Sequence, residues 1–252
     1  MNGDLIIDDL DLSGRYGDFL ADFYDTLYPF TAGVDECVDV LAGLAGPTGS
    51  VLELGVGTGR VALPLADRVG SVTGVDASRR MLEVLRAKDP AERVTTVHAG
   101  FGSLDLQTSH DVVALVYNTV CCAPSQQEQV ALLRTARRHV AAGGRVVVET
   151  FEPTRVHAQQ GPETSMRSLR ARGVLMESIE VVPAEQLMFV LTAHLDGSTI
   201  EKAATFLRYV WPAELTLLAE LAGLRVVERR HGWVPTTEPA AGSTVVTVLE
   251  AT

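Results

Sequence analysis

The chain reads as an α/β fold: a mostly parallel sheet with helices on both faces, plus an antiparallel insertion. Three observations predict it. Between residues 50 and 150, short apolar runs alternate with amphipathic helical segments, the pattern of strand–helix–strand units in a parallel sheet. The first run, Val51-Leu52-Glu53-Leu54, feeds directly into Gly55-Val56-Gly57-Thr58-Gly59-Arg60. A glycine loop after the first strand of such a sheet is where open α/β folds bind nucleotide-like ligands, because glycine lets backbone come close to a ligand in dihedrals that other residues avoid. After Phe151 the helical segments drop out and strand-like runs follow one another.

The elements follow in order. Residues 14–45 read as two helices broken around Tyr28-Pro29, with Tyr16, Phe19, Phe23, Tyr24 and Leu27 at helical spacing. A strand at 50–55 leads into the glycine loop and a helix to about Val69, whose start is delayed by Pro64. A strand from Ser71 to Val75 ends at Asp76, and Ser78 caps a helix to about Lys88. Strands are expected at 93–98 and 111–117. Ser125-Gln126-Gln127-Glu128 is a capping box, and its helix is expected to stop at Gly143-Gly144. A fifth strand runs from Arg145 to Glu149. Residues 152–168 read as polar loop, and three strand-like runs follow at 173–182, 186–195 and 200–210, the last two joined by the turn Asp196-Gly197. A helix from Pro212 to Ala222 stops at Gly223, and Leu224–Arg230 with Thr244–Glu250 form a closing hairpin. The hairpin brings the main sheet to seven strands. The expected organisation is a helical cap at 1–48, a core at 49–151 and 212–252, and an antiparallel lid over the active site at 152–211.

Composition narrows the function. The net charge is −11 over 252 residues, and no basic stripe of the kind a nucleic acid requires is present; Arg134, Arg137 and Arg138 read as the wet face of one helix. Asp4, Asp8, Asp9 and Asp11 read as a solvated terminus. Cys37, Cys121 and Cys122 form no C-x-x-C pair and have no metal spacing, and Cys121 and Cys122 would point to opposite faces of a strand. No signal peptide and no run of membrane-spanning length is read, so a cytoplasmic protein without a membrane partner is expected. Exposed strand edges in the insertion could pair two copies into a homodimer.

The glycine loop carries the chemistry. A dinucleotide fingerprint needs its third glycine at position 60, where this chain has Arg60. The stretch Glu53 to Gly59 resembles instead the first motif of class I S-adenosylmethionine-dependent methyltransferases, and the resemblance implies their Rossmann-like fold. It places Glu53 at the cationic amino-acid end of S-adenosylmethionine, with Gly55, Gly57, Gly59 and Arg60 forming the loop around it. Asp76 is expected to accept from both ribose hydroxyls, with Ala77 and Met81 beside it. Gly100-Phe101 stands where relatives often carry Gly-Asp, so the usual adenine contact is missing and Phe101 or Ser103 is expected to take its place. Tyr117 and Asn118, at the end of the fourth strand, should face the reacting methyl group. The chain has no Asn-Pro-Pro-Tyr, the signature of nucleobase and protein-glutamine methylation, and no acids beside Asn118 for a metal, Asp111 being at the wrong end of the strand.

The termini sharpen the resemblance. Phe23-Tyr24-Asp25-Thr26-Leu27-Tyr28-Pro29 looks like the segment that opens small-molecule methyltransferases, aminosugar N,N-dimethyltransferases among them; Phe206 to Leu215 and Ala222-Gly223-Leu224 look like the same group's late strand and closing helix. This implies that Tyr24 and Tyr28, with Tyr16 two turns earlier, approach the sulfonium or the acceptor; burial in an aromatic core is the alternative. Tyr24, Tyr28 and Tyr117 are the candidate catalytic residues. Some aminosugar enzymes carry histidine where this chain has Cys122, which argues against an aminosugar acceptor. No acid–base cluster is evident, which favours an amine over an oxygen or carbon acceptor, since an amine need only arrive unprotonated. His98, His110 and His139 read as structural; His157, His194 and His231 lie in or near the lid. Trp211 and Trp233 read as packing or as an apolar acceptor wall. A nicotinamide-dependent oxidoreductase and a non-methylating binder of the same cofactor are the competing readings.

Overall fold

The computed structural model describes residues 12–28, 33–234 and 242–252. The acidic stretch before Leu12 and Pro29 lie outside them. Three helices come first, α1 (Leu12–Leu20), α2 (Tyr24–Leu27) and α3 (Val34–Ala45), followed by β1 (Ser50–Leu54), α4 (Ala62–Leu65), β2 (Ser71–Asp76), α5 (Arg79–Lys88), β3 (Val94–His98), β4 (His110–Leu115), α6 (Gln126–His139) and β5 (Val140–Phe151). Then come α7 (Thr154–His157), β6 (Glu163–Ser168), β7 (Val174–Val182), β8 (Leu187–Asp196), β9 (Thr199–Arg208), α8 (Pro212–Leu221), β10 (Leu224–His231) and β11 (Thr244–Ala251).

The strands form a seven-stranded sheet in the order β10-β11-β5-β4-β1-β2-β3 and a separate four-stranded antiparallel sheet, β6-β7-β8-β9. The first five strands are mutually parallel and β11 runs against both its neighbours. The chain moves outward from β1 through β2 to β3, then returns to place β4 on the other side of β1. That reversal leaves a crevice at the carboxyl ends of β1 and β4, where open α/β sheets receive ligands. The sheet is buried on both faces, so its strands read as nearly continuous apolar runs. Leu52, Leu54, Val113 and Leu115 pack with α6 and α8, while Val51, Val112 and Ala114 face α3, α4 and α5. Ser78 caps α5 by accepting from the Met81 N–H at 3.0 Å, and Ser125 caps α6 by accepting from the Glu128 N–H at 3.2 Å.

The structure departs from the sequence expectation in four places. The N-terminal helix breaks at residues 21–23, which turns the Phe23 ring onto His194 of the lid at 4.3 Å. The helix after the glycine loop is the single turn α4, because the loop is still folding at Gly59, whose N–H bonds Val56 O, and the chain must be back at Gly49 by Gly70. α6 ends at His139, where the ring accepts from the Leu106 N–H at 3.0 Å and lies 2.7 Å from Thr135 O. Strand β5 then runs straight through Gly143-Gly144: Gly143 has φ +79°, and a Cβ on Gly144 would lie 2.7 Å from Asp111 O. Those glycines let two strands pass closely and do not stop a helix. Finally, residues 163–168 form an edge strand with every side chain exposed, so they carry no apolar alternation to signal it.

Candidate active site

The crevice is built on backbone strain and close approach. Gly55 has φ +81°, and a Cβ there would lie 2.7 Å from Thr119 Oγ1; the loop leaving β1 thus presses on the turn leaving β4. Gly57 has φ +53° and open space where its side chain would stand. At the end of β4, Tyr117 (φ 52°) and Asn118 (φ 64°) are consecutive left-handed residues, an arrangement that costs roughly 1–3 kcal/mol each and persists where a site needs it. The chain then enters a 3-10 turn at Thr119–Cys122. Cys121 and Cys122 therefore lie on that turn rather than on a strand, Cys121 buried and Cys122 open to solvent.

Acidic groups line the floor. Asp76 ends β2, accepting from the Gly57 N–H and the Ser78 N–H, both at 2.8 Å. Glu53 is 3% exposed, and its Oε2 has no hydrogen-bond partner among the described residues; nor has Asn118 Oδ1. Burial pushes the Glu53 carboxyl up to about 8, with Asp76 adding to the shift and Arg60 and the Ala62 N–H opposing it. A cation placed beside Glu53 would recover that lost charge. Burial also raises Asp76, against the N–H groups of Ser78 and Gly57.

Arg60 sits beneath this floor. Its guanidinium lies 3.4 Å from the Tyr117 ring centroid and donates to Tyr28 O at 3.4 Å. It faces Glu53 on one side and Glu149 on the other, lowering both carboxyls against burial. Glu149, at the end of β5, accepts from the Tyr117 N–H at 2.7 Å and so holds the left-handed turn. Nothing in the sequence pointed to Glu149; only the sheet order β1-β4-β5 puts it there.

The roof is the helical cap. α1 lies against the loop after β2 through two glycines, where a Cβ on Gly14 would meet Ala77 O at 2.7 Å and one on Gly17 would meet Ser78 Cβ at 2.7 Å. Asp18 accepts from Ser78 Oγ at 2.6 Å, and Asp25 accepts from Thr58 Oγ1 at 2.6 Å and from Lys88 Nζ at 2.8 Å. The lid grips the cap from the other side: Arg172 donates to Asp22 O and Thr26 Oγ1, and Arg167 to Leu27 O. Gly17→Val should lift α1 from the Ala77–Ser78 turn. The expected result is faster amide hydrogen exchange in α1 with the core still folded; unchanged exchange would show that these two glycines do not seat the cap.

The structure brings Tyr16, Tyr24 and Tyr28 together in one half-buried cluster with Phe19, Phe23, Met81 and Leu175, the Tyr24 and Tyr28 rings 4.9 Å apart. Burial raises all three phenols and Tyr117 above their ordinary value, which disfavours their ionised forms at neutral pH. The Cys122 thiol, reachable yet hemmed in, is pushed up to about 11 by burial and by Asp76. Gly100 opens the short turn at Phe101–Ser103, where Phe101 packs against the α6 side of the core and its carbonyl accepts from Thr135 Oγ1; the Ser103 side chain lies outside the described ones. His157 pairs with the Tyr209 hydroxyl at 2.8 Å and His194 lies 2.6 Å from Arg172 O, so both act as internal ties. No metal-ligand cluster and no helix long and apolar enough to cross a membrane is present among the described residues.

Comparison with known proteins identifies the family. A methyltransferase-domain model matches residues 51–144, the span from β1 through the Gly143-Gly144 bend. The cypemycin N-terminal methyltransferase of a Streptomyces species is 29% identical over 203 residues, 80% of this chain and 82% of that protein. The CcbJ methyltransferase from Streptomyces caelestis is 35% identical, with a TM-score of 0.85 over 95% of this chain and 98% of that one. CalS10, an amino pentose methyltransferase from Micromonospora echinaspora with S-adenosylmethionine bound, shares the fold at a TM-score of 0.69 and 17% identity, over 91% of this chain and 95% of that one. An open glycine loop, an orphaned buried acid and a capped crevice at the β1/β4 reversal suit the donor these proteins use, and the chain belongs to the class I S-adenosylmethionine-dependent methyltransferases.

Proposed function

We propose that this enzyme methylates an amine nitrogen of a small-molecule natural product. The observation that carries the reading is the make-up of the crevice, where the cap gathers the phenols of Tyr16, Tyr24 and Tyr28 into one cluster and Tyr117 ends the fourth strand. A phenol or carbon acceptor usually benefits from a base near the reacting atom. Here burial raises the phenols and lifts the Cys122 thiol to about 11, which disfavours their ionised, basic forms at neutral pH. A neutral amine already carries its lone pair. One relative is named for methylating an N-terminus and the similar structure CalS10 for methylating an amino pentose, which supports the same choice.

S-adenosylmethionine supplies a methyl group already activated by its sulfonium. In this reading Glu53 Oε2 takes the donor's ammonium, Gly55, Gly57 and Gly59 let backbone close on it, and Asp76 takes the ribose hydroxyls, with Ala77, Met81, Gly100 and Phe101 around the nucleoside. Tyr117 and Asn118 bound the reacting end, while Tyr16, Tyr24 and Tyr28 close over it, align the acceptor and exclude water. Arg60 acts from below, on Glu53 and Tyr117. The test uses donor with a trideuterated methyl group, a panel of primary and secondary aliphatic amines with matched phenols, and mass spectrometry of the products. Label on nitrogen is expected; label on the phenols alone would overturn the reading.

Two copies pairing through the lid would complete the molecule. Met166, Met176, Val182, Leu191 and Ile200 are all exposed, and strand register puts them on one face of the lid sheet, around the Phe189–Phe206 ring pair. Four strands about 4.8 Å apart with roughly 3.3 Å per residue present on the order of 600 Å² per copy, which doubled reaches the low end of stable interfaces. Leu191→Glu is expected to halve the mass measured by light scattering. A wild-type monomer at micromolar concentration would contradict the pairing.

A further inference from the structure

The lid sheet has one inward position that does not match its surroundings. Along β7 the inward residues are Leu175, Glu177, Ile179 and Val181, set by their register against His194, Thr192, Val190 and Met188 of β8. Leu175, Met188 and Val190 are buried, so this is the lid's apolar underside with a half-buried carboxylate in it. The Glu177 backbone is held in the ladder between Ser165 and Thr192, but among the described residues its carboxylate has no hydrogen bond and no ion pair. The nearby cation, Arg167, is spent on Leu27 O and lies 5.5 Å from the Tyr28 ring centroid. Across β8 the Thr192 hydroxyl, paired in register with Glu177, also lacks a partner.

The position of Glu177 is functional in kind. It lines a small cavity with Leu27, Tyr28, Ser165, Arg167 and Leu175. Its charge reaches the phenols of Tyr16 and Tyr28, and Tyr16 in turn feels Tyr24 and Cys122. Glu177 therefore stands on the lid side of the tyrosine cluster, beside Tyr28, while Tyr24 feels the Asp76 charge of the donor floor. A half-buried carboxylate set in an apolar surface offers an incoming N–H donor a charge-assisted hydrogen bond.

We propose that Glu177 is the acceptor's anchor: it accepts an N–H bond from the acceptor's amino group and selects amines over anionic acceptors and over acceptors with no N–H to donate. This rests on the amine reading above. The amine lone pair forms the new N–CH3 bond as the C–S bond breaks, with its electron pair going to sulfur. Positive charge then develops on nitrogen, where a carboxylate accepting its N–H stabilises it. The proton of the resulting ammonium leaves to Glu177 or to water.

The test compares wild type with Glu177→Gln, Glu177→Met and Glu177→Asp on the amine that the panel above shows to be methylated best. Glutamine fits the same strand position, and thermal unfolding checks the fold. S-adenosylhomocysteine affinity by calorimetry should stay within about twofold in all variants. For a charged hydrogen bond, kcat/KM on the amine should fall roughly ten- to hundredfold in Glu177→Gln and further in Glu177→Met, with kcat falling as well as KM rising and partial recovery in Glu177→Asp. Retention of kcat/KM within threefold in the Gln and Met variants would overturn the anchor and leave the amine reading standing. A panel in which only phenols are methylated, or nothing is while S-adenosylhomocysteine binds, would overturn the amine reading and the anchor with it.

Discussion

Glu53→Gln is expected to weaken S-adenosylhomocysteine binding roughly ten- to hundredfold, the worth of a buried charged hydrogen bond, and to remove most of the pH dependence of binding. The carboxyl is buried and pushed up to about 8, so at pH 6–7 the ligand-free protein holds it protonated. A ligand ammonium requires it ionised. Binding must then release a proton, and affinity should rise with pH toward 8, by up to tenfold per unit. The same shift acts on stability in the other direction. The folded carboxyl keeps its proton between the ordinary value of 4.5 and about 8, whereas the unfolded one has lost it. Folding is therefore penalised progressively as pH rises through that window. The Gln variant should lose this penalty, and ligand-free it should be more stable than wild type at pH 8. Calorimetry between pH 6 and 7.5 in two buffers of different ionisation enthalpy checks the proton release. Equal affinity across that range in wild type would contradict the role given to Glu53.

Arg60→Ala should be the most destabilising single change in the site, by about 3 kcal/mol, as expected when a buried charge loses its partner. Arg60 is 9% exposed and its guanidinium covers the Tyr117 ring. It is the cation that opposes the burial of both Glu53 and Glu149. Its removal takes away the cation that opposes the burial of Glu149 and of the ionised form of Glu53, vacates the volume under a strained turn and frees Tyr28 O. In a chain of this size the loss corresponds to roughly 6–12 °C in melting temperature. Lysine should rescue little, because it lacks the planar group that stacks on the ring. Chemical denaturation measures it; a change under 1 kcal/mol would show that the two acids are held apart from Arg60 by other means.

Much of this site was legible in the sequence because it depends on local rules. A strand, alternating glycines and an acid at the next strand's end follow from backbone geometry and spacing, and the structure places Gly55, Gly57, Gly59 and Asp76 at one crevice. What stayed hidden depends on tertiary arrangement. Glu149 reaches Tyr117 only because β5 lies beside β4. Gly14 and Gly17 look like ordinary weak helix residues until α1 is seen against Ala77 and Ser78. The edge strand β6 has no apolar side to betray it. Arg60, expected among the donor contacts, also covers the Tyr117 ring and donates to Tyr28 O, links that its place in the sequence does not reveal.

A crystal structure of the S-adenosylhomocysteine complex tests the central claim most directly. The account predicts the ligand's amino group within hydrogen-bond reach of Glu53 Oε2, its ribose hydroxyls on Asp76, its chain against the open side of Gly57, and its sulfur facing Tyr24 and Tyr28 beneath a closed cap. A ligand seated elsewhere, or one at this crevice with Glu53 Oε2 still unpartnered, would contradict it.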